Sequence, residues 1–291
     1  MSGTESGKGG DVLRAGVMGW PVSHSLSPRL HGYWLSRYRI RGSYDAIAVE
    51  PENLAAALSG LADDGLRGVN LTVPHKIAAL ALVDKIDDTA QRIGAINTIV
   101  VDGDGALAGS NTDAFGFIEN LRDQVPDHVA AGWSGRPVAV LGAGGAARAV
   151  CTALLDCGVA EIRLVNRTAA RATELAETLP GLADRAAIYA WADRAGALAE
   201  AGLLVNTTVL GMAGQASLEL DLADLPGDAT VNDIVYAPLE TALLAQARQR
   251  GNAVVDGLGM LLHQARPGFR AWFGADPVVD DGLRQAVLAG L

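Results

Sequence analysis

The chain has 291 residues, 49% of them hydrophobic, and a formal net charge of −10 at neutral pH. That length suggests one large or two ordinary domains. The acidic balance argues against nucleic acid and anionic membranes as partners, so any phosphate or carboxylate ligand must be held by a few local cations.

No apolar run approaches the ~20 residues of a membrane span. Residues 1–10 are small, polar and glycine-rich, without the apolar segment of a signal peptide. A disordered tail on a cytoplasmic protein is expected. Cys151 and Cys157 lie six apart, which fits neither a shared helix face nor a metal site. They read as packing residues in a reducing compartment. No metal-ligand cluster is present in the pattern. Of the 23 basic residues only Lys8, Lys76 and Lys85 are lysines. Lys8 falls in the tail and Lys85 in an acidic stretch expected to be helical, which leaves Lys76 as the lysine to explain.

In chain order, residues 14–18 predict a strand running into Gly19-Trp20-Pro21-Val22-Ser23-His24-Ser25-Leu26-Ser27-Pro28, and Pro28 opens a helix to about Arg37. The hydroxyls of Ser25 and Ser27 can donate to a small carboxylate at the carboxyl end of a strand. Ser27 also fits a helix N-cap. A second strand over Tyr44 to Val49 and a helix over Pro51 to Leu61 follow. Gly68 to Lys76 repeats the scheme of apolar strand, polar tip, proline and helix, and brings Asn70, Thr72 and Lys76 to the edge of the serine loop. A lysine at a helix start opposes the dipole, and lysine, unlike arginine, can lose its proton near neutrality when partly buried. Gly94 to Val101 predicts the next strand, Asp102-Gly103-Asp104-Gly105 a hairpin turn, and the return strand ends near Asn111-Thr112-Asp113. Asn97 and Asp113 then come from neighbouring strand ends. Asp113 either caps the helix over Ala114 to Asp123 or forms an acid–base pair with Lys76. No hydrolase elbow is found.

Pro126 to Arg136 is polar, holds Pro and Gly, and reads as a linker between domains. Val138-Ala139-Val140-Leu141 then runs into Gly142-Ala143-Gly144-Gly145-Ala146-Ala147, a buried strand turning directly into a helix. Gly142, Gly144 and Ala147 satisfy the G-x-G-x-x-G/A spacing of a dinucleotide-binding turn. The first helical N–H groups face an anion there. The next strand, Glu161 to Val165, ends in Asn166-Arg167-Thr168, with Arg171 beyond. An acid at position 166 would bind the ribose 2′-hydroxyl of NAD. A neutral Asn followed by two arginines favours the 2′-phosphate of NADP instead. Further strands at Leu203 to Asn206, Thr230 to Val235 and Ala253 to Val255 alternate with helices, as in a doubly wound parallel sheet. An amphipathic stretch from Met260 to Trp272-Phe273-Gly274 and a helix over Asp281 to Leu288 are expected to pack back on the first domain.

The chain resembles the shikimate/quinate dehydrogenase family from about Ala15 to Leu288. His24-Ser25-Leu26-Ser27-Pro28, Asn70 to Lys76, Gly94 to Thr98 and Asn111-Thr112-Asp113 are similar to its substrate-domain motifs. Gly142 to Arg148, Asn166-Arg167-Thr168, Asp233 to Tyr236 and Gly257 to Gln264 are similar to its cofactor-domain motifs. The resemblance implies an α/β protein with a substrate-binding domain (11–125, completed by 260–291) and an NADP-binding Rossmann domain (126–259), separated by a cleft. It implies reversible reduction of 3-dehydroshikimate to shikimate with NADPH, in chorismate and aromatic amino acid biosynthesis.

By the same resemblance Lys76 and Asp113 flank the reacting hydroxyl, Ser25 and Ser27 hold the carboxylate, and Asn70, Thr72, Asn97 and Gln264 hydrogen-bond the ring hydroxyls. Tyr236 closes on the substrate. Gly142, Ala143, Gly144, Gly145, Ala146 and Thr207 surround the cofactor, Asn166, Arg167, Thr168 and Arg171 take its 2′-phosphate, and Gly257 and Met260 lie against the nicotinamide. A small-molecule substrate and a monomer or homodimer are implied. Trp20, Gly32 and Asn206-Thr207-Thr208 depart from common family residues without touching the acid–base pair. The competing readings are an NAD-using quinate/shikimate dehydrogenase, a shikimate-sensing module without turnover, and a methylene-folate dehydrogenase, which the serine loop and the Asn-Thr-Asp motif oppose.

Overall fold

The computed structural model describes residues 12–290; the tail expected at 1–10 lies outside them. In chain order the elements are β1 (Leu13–Gly19), α1 (Ser27–Arg37), β2 (Gly42–Ala48), α2 (Leu54–Ser59), β3 (Leu66–Leu71), β4 (Lys85–Ile86), α3 (Asp88–Ile93), β5 (Thr98–Val101), β6 (Leu107–Ser110), α4 (Asp113–Gln124) and α5 (Pro126–Ala130). There follow β7 (Val138–Leu141), α6 (Gly145–Asp156), β8 (Ile162–Asn166), α7 (Ala169–Thr178), β9 (Ala186–Ala190), β10 (Leu203–Asn206), β11 (Thr230–Asp233), α8 (Ala242–Gln249), β12 (Ala253–Val255), α9 (Leu258–Phe273) and α10 (Asp281–Leu288). Among the described residues no helix is long and apolar enough to cross a membrane.

Two compact units result. The first comprises residues 12–86, 96–110 and 266–290, and the second 87–95 and 111–265. Both differ from a boundary at 125–126. In the second unit, Ile93, Phe117, Ile118 and Leu121 are buried in one core with Val150, Leu154 and the inward face of β7. The apolar stripe of α4 is therefore covered by the cofactor-type sheet and its helix α6. The segment expected to be a linker carries α5 and a 3-10 turn at Gly132–Gly135.

The first unit holds a mixed sheet, β2-β1-β3-β5-β6-β4. β2, β1 and β3 run parallel, whereas β5 is antiparallel to both β3 and β6. That reversal puts the start of β5, not its end, beside the end of β3. Lys85 lies in β4 rather than in a helix. Leu30, His31, Trp34 and Leu35 form the buried face of α1, as the 3.6-residue period requires. They meet an aromatic nest supplied by the end of α9, with Trp34 5.2 Å from Phe269 between ring centroids. Trp272 Nε1 donates to Ile99 O at 3.0 Å, and Trp34 Nε1 to Val278 O at 3.0 Å. Residues 266–290 thus pack on the first sheet, whereas 260–265, expected to pack there too, belong to the second unit.

His31 is fully buried in this nest and stacks on Tyr44, 3.8 Å between centroids with 4° between planes. Burial pushes its imidazole down from the ordinary value of 6.5 to about 3. The unfolded chain therefore takes up the proton first as pH falls. Stability contributed by the neutral ring is complete above the unfolded value and is lost as pH drops towards the folded one, by about 1.4 kcal/mol per pH unit. His31→Phe, which keeps an aromatic ring in the nest, is expected to flatten the urea midpoint between pH 6.5 and 4.5 relative to wild type. Equal slopes for the two proteins would count against it.

The second unit holds a wholly parallel sheet, β12-β11-β10-β7-β8-β9. Counted within this unit the order is the doubly wound one that reverses at its first strand. Side chains alternate along each strand: Val138 and Val140 enter one core, Ala139 and Leu141 the other. β9, the sixth strand, went unanticipated because Ala186-Ala187-Ile188-Tyr189-Ala190 is short and only partly buried.

Candidate active site

In the first unit the side chains expected to hold a substrate gather where β1, β3 and the start of β5 end together. Asn70 pairs in register with Val17 on one side and Thr98 on the other. Its amide is tied down completely. Nδ2 donates to Asn97 O and to Thr98 Oγ1, both at 3.0 Å, and Oδ1 accepts the Tyr44 phenol at 2.6 Å. Thr98 in turn donates to Asn97 Oδ1 at 2.9 Å. Burial pushes the Tyr44 phenol well above its ordinary value, and the Ser27 side chain works against that shift. Tyr44, Asn70, Thr98 and Asn97 therefore form one buried polar chain, and Asn70 retains only a carbonyl lone pair for a ligand.

Ser27 is the first helical residue rather than a cap, since the cap position is Leu26 and no side chain caps α1. Ser25 Oγ accepts Ser27 N at 3.3 Å. Thr72 N donates to Met18 O at 2.9 Å, and His75 Nε2 bonds Val49 O at 2.8 Å. These bonds fix the loop that carries Lys76. Lys76 is half-buried, and its backbone carbonyl accepts Ile96 N at 2.8 Å, one residue before Asn97. No α-helix starts at Lys76: residues 73–77 form turns and a bend, and a 3-10 segment begins at Ala78. The expected opposition to a helix dipole is therefore not what singles this lysine out. Its placement beside the buried polar chain is.

In the second unit Asp113 is the first residue of α4 and not its cap; its N–H donates to Asn111 Oδ1 at 2.9 Å. Thr112, one residue before, donates to Gln264 Oε1 at 3.4 Å. Asp113, Thr112 and Gln264 are thus brought together, while Lys76, Asn70 and Asn97 belong to the other unit. Tyr236 follows β11 half-buried, which pushes its phenol up. Asp233 organises that segment: buried, it accepts Asn206 Nδ2 at 2.9 Å, Val235 N at 3.0 Å and Thr241 Oγ1 at 2.7 Å.

The glycine turn joins β7 to α6 as expected. Gly142 has φ +109°, and a Cβ there would lie 2.5 Å from Thr207 Oγ1. Thr207 itself donates to Leu141 O through both N (2.9 Å) and Oγ1 (2.6 Å). Ala147 is fully buried, so α6 approaches its strand closely. At Gly144 and Gly145, by contrast, a Cβ would meet nothing within 4 Å. Open space therefore lies beside the free N–H groups of a twelve-residue helix, which fits a phosphate. At the end of β8 Asn166 Nδ2 donates to Thr168 O at 2.8 Å, and Arg167, Thr168 and Arg171 are exposed. The residues present fit an adenosine 2′-phosphate better than a bare ribose.

Residues 17–99 match the shikimate dehydrogenase substrate binding domain, and residues 125–209 match the shikimate/quinate 5-dehydrogenase model. The shikimate dehydrogenase (NADP(+)) of Paramagnetospirillum magneticum is 58% identical over 282 residues, covering 96% of this chain and 99% of that one. The chain belongs to the shikimate dehydrogenase family. The enzyme of the same name from Rhodospirillum rubrum is also 58% identical, over 96% of this chain and 98% of its own. Among solved structures of the family, shikimate 5-dehydrogenase from Thermus thermophilus in complex with NADP(H) and shikimate is similar with a TM-score of 0.82 and 40% identity, over 96% of this chain and 100% of that one. Quinate dehydrogenase from Corynebacterium glutamicum in complex with NAD has a TM-score of 0.88 at 30% identity, over 96% and 100%.

Three polar residues at these sites were not singled out from the sequence. Thr112 sits inside a motif that was, and its neighbours drew the attention. Thr98 likewise ends the Gly94 to Thr98 motif, and Tyr44 reads as an ordinary strand residue; only the antiparallel turn of β5 places Thr98 against Asn70.

Proposed function

We propose that this member of the shikimate dehydrogenase family is the NADP-dependent enzyme that reversibly reduces 3-dehydroshikimate to shikimate, in the cytoplasmic synthesis of chorismate and the aromatic amino acids. The observation that carries the cofactor assignment is the end of β8, where a neutral Asn166 is followed by exposed Arg167 and Arg171. Arg167, Thr168 and Arg171 hold the 2′-phosphate, and the turn from Gly142 to Ala146, closed by Thr207, holds the pyrophosphate. Gly257 and Met260 line the nicotinamide, which supplies the hydride when bound.

The chain's own side chains do the rest. Ser25 and Ser27 take the substrate carboxylate, and Thr72, Asn97 and Gln264 bond the ring hydroxyls. Asn70 accepts from one hydroxyl and is held to that role by Tyr44. Tyr236 packs over the bound ring. Ketone reduction needs a proton at oxygen as carbon is reduced. Lys76 donates it, and in the reverse direction accepts it from the hydroxyl. Asp113 orients that hydroxyl.

An absorbance assay at about 340 nm, with shikimate or quinate and NADP or NAD, tests the reading. Rapid reduction of NADP with shikimate is expected. Turnover with quinate and NAD would move the protein to the quinate/shikimate alternative, and shikimate binding without turnover in any combination would make it a sensor.

A further inference from the structure

Helix α4 carries Asp113 at its start, and a second set of contacts along the same helix has no place in the mechanism above. Thr112, Gly116 and Asn120 recur every four residues and so share one face. All three meet the first turns of α9 and the turn before it. Thr112 bonds Gln264. Gly116 leaves no room for a side chain, since a Cβ would lie 2.6 Å from Gln264 Cβ and 2.7 Å from Met260 O. Asn120 is 1% exposed, a buried amide two turns below Asp113. Its Nδ2 donates to Asp256 O at 2.7 Å, and its Oδ1 accepts Gln124 Nε2. The same Oδ1 fills the space in which a Cβ on Gly259 would stand, 1.7 Å away.

On its other side the 256–259 turn is packed as tightly. A Cβ on Gly257 would lie 2.2 Å from Ile234 O and 2.7 Å from Val235 O, beside Tyr236. Asp256 Oδ1 accepts Leu258 N at 3.0 Å. The turn is therefore clamped between the Tyr236 segment and Asn120, with Asn120 as the polar half of the clamp.

We infer that Asn120 is a positioning residue: its carboxamide holds the Asp256–Gly259 turn in register with the helix that presents Asp113. It thereby sets where the nicotinamide-lining residues Gly257 and Met260 stand relative to Asp113. This rests on the dehydrogenase reading above. Asn120 touches neither substrate nor cofactor. Its effect is on alignment, and hydride transfer is sensitive to alignment because a misplacement of ~1 Å costs about a hundredfold.

Three proteins, wild type, Asn120→Leu and Asn120→Asp, are compared for kcat, for KM of each substrate, for shikimate affinity by calorimetry and for the primary isotope effect with shikimate deuterated at the reacting carbon. Wild-type activity is the control for the reading on which the inference rests; its absence would sink that reading and not this one. With active wild type, Asn120→Leu is expected to lower kcat about 10–100-fold and to raise the isotope effect on kcat, with shikimate affinity unchanged. Asn120→Asp, the milder replacement should the leucine variant fail to fold, sets a carboxylate against the Asp256 carbonyl. Its kcat is expected to recover as pH falls and the protonated carboxyl can donate to that carbonyl again. A wild-type kcat and isotope effect in both variants would overturn the inference. So would parallel losses of melting temperature and shikimate affinity with no change in isotope effect and no recovery at low pH.

Discussion

Lys76→Met is expected to lower kcat for shikimate oxidation by about 10²–10⁴-fold, the usual worth of a general acid–base group. The residue stands next to the buried chain that runs from Tyr44 through Asn70 and Thr98 to Asn97, and its backbone is pinned to Ile96. Methionine keeps the length and the packing of the stem, so the melting temperature is expected to change little. The loss should fall on kcat and leave cofactor affinity intact, because an interaction made with developing charge acts on the transition state.

Lys76→Arg separates two ways of helping. Arginine keeps the positive charge and cannot release its proton near neutrality. If proton transfer is the role, kcat collapses as far as in the methionine variant. Near-normal turnover in Lys76→Arg would rule out proton transfer and leave charge stabilisation at oxygen as the role.

The second large effect concerns cofactor choice. Replacing Arg167 and Arg171 together by alanine is expected to lower kcat/KM for NADP by about a hundredfold or more, from the loss of charge-assisted bonds to a phosphate. Neither arginine has a role toward the adenosine 2′-hydroxyl, so kcat/KM with NAD is expected to stay within about twofold. Because both side chains are exposed, the NADP preference of the wild type should also weaken with salt. Equal losses with both cofactors would show that the arginines shape the turn rather than read the phosphate.

Adding an acid at the end of β8 makes the complementary test. Asn166→Asp, which leaves both arginines in place, is expected to shift preference toward NAD, since a carboxylate repels the 2′-phosphate and can accept from a ribose hydroxyl.

The cofactor end of the site was legible because its chemistry lies in contiguous residues. A strand, a glycine turn and a helix start are encoded within Val138 to Ala147, and Asn166 to Arg171 follow the next strand directly. Local backbone geometry suffices there: Gly142 needs its φ of +109°, and Ala147 needs to be small, whatever the rest of the chain does. The identities of Lys76, Asp113 and the serine pair were readable for the same reason, as polar tips at the ends of apolar runs.

What the tertiary structure alone decided is how those tips are supported. Tyr44 and Asn70 are 26 residues apart, Asn70 and Thr98 are 28 apart, and Asn120 and Asp256 are 136 apart. No periodicity links such pairs, because a hydrogen bond between side chains depends on strand order and direction. The antiparallel entry of β5 brings Thr98 to Asn70, and the packing of α4 on α6 puts Asp113 in the second unit although it precedes the expected linker. Sequence by itself determined which polar groups this protein places at strand ends and in the glycine turn. Long-range packing determined which of them are held still, since burial leaves each polar atom one set of partners and only the assembled sheet supplies them.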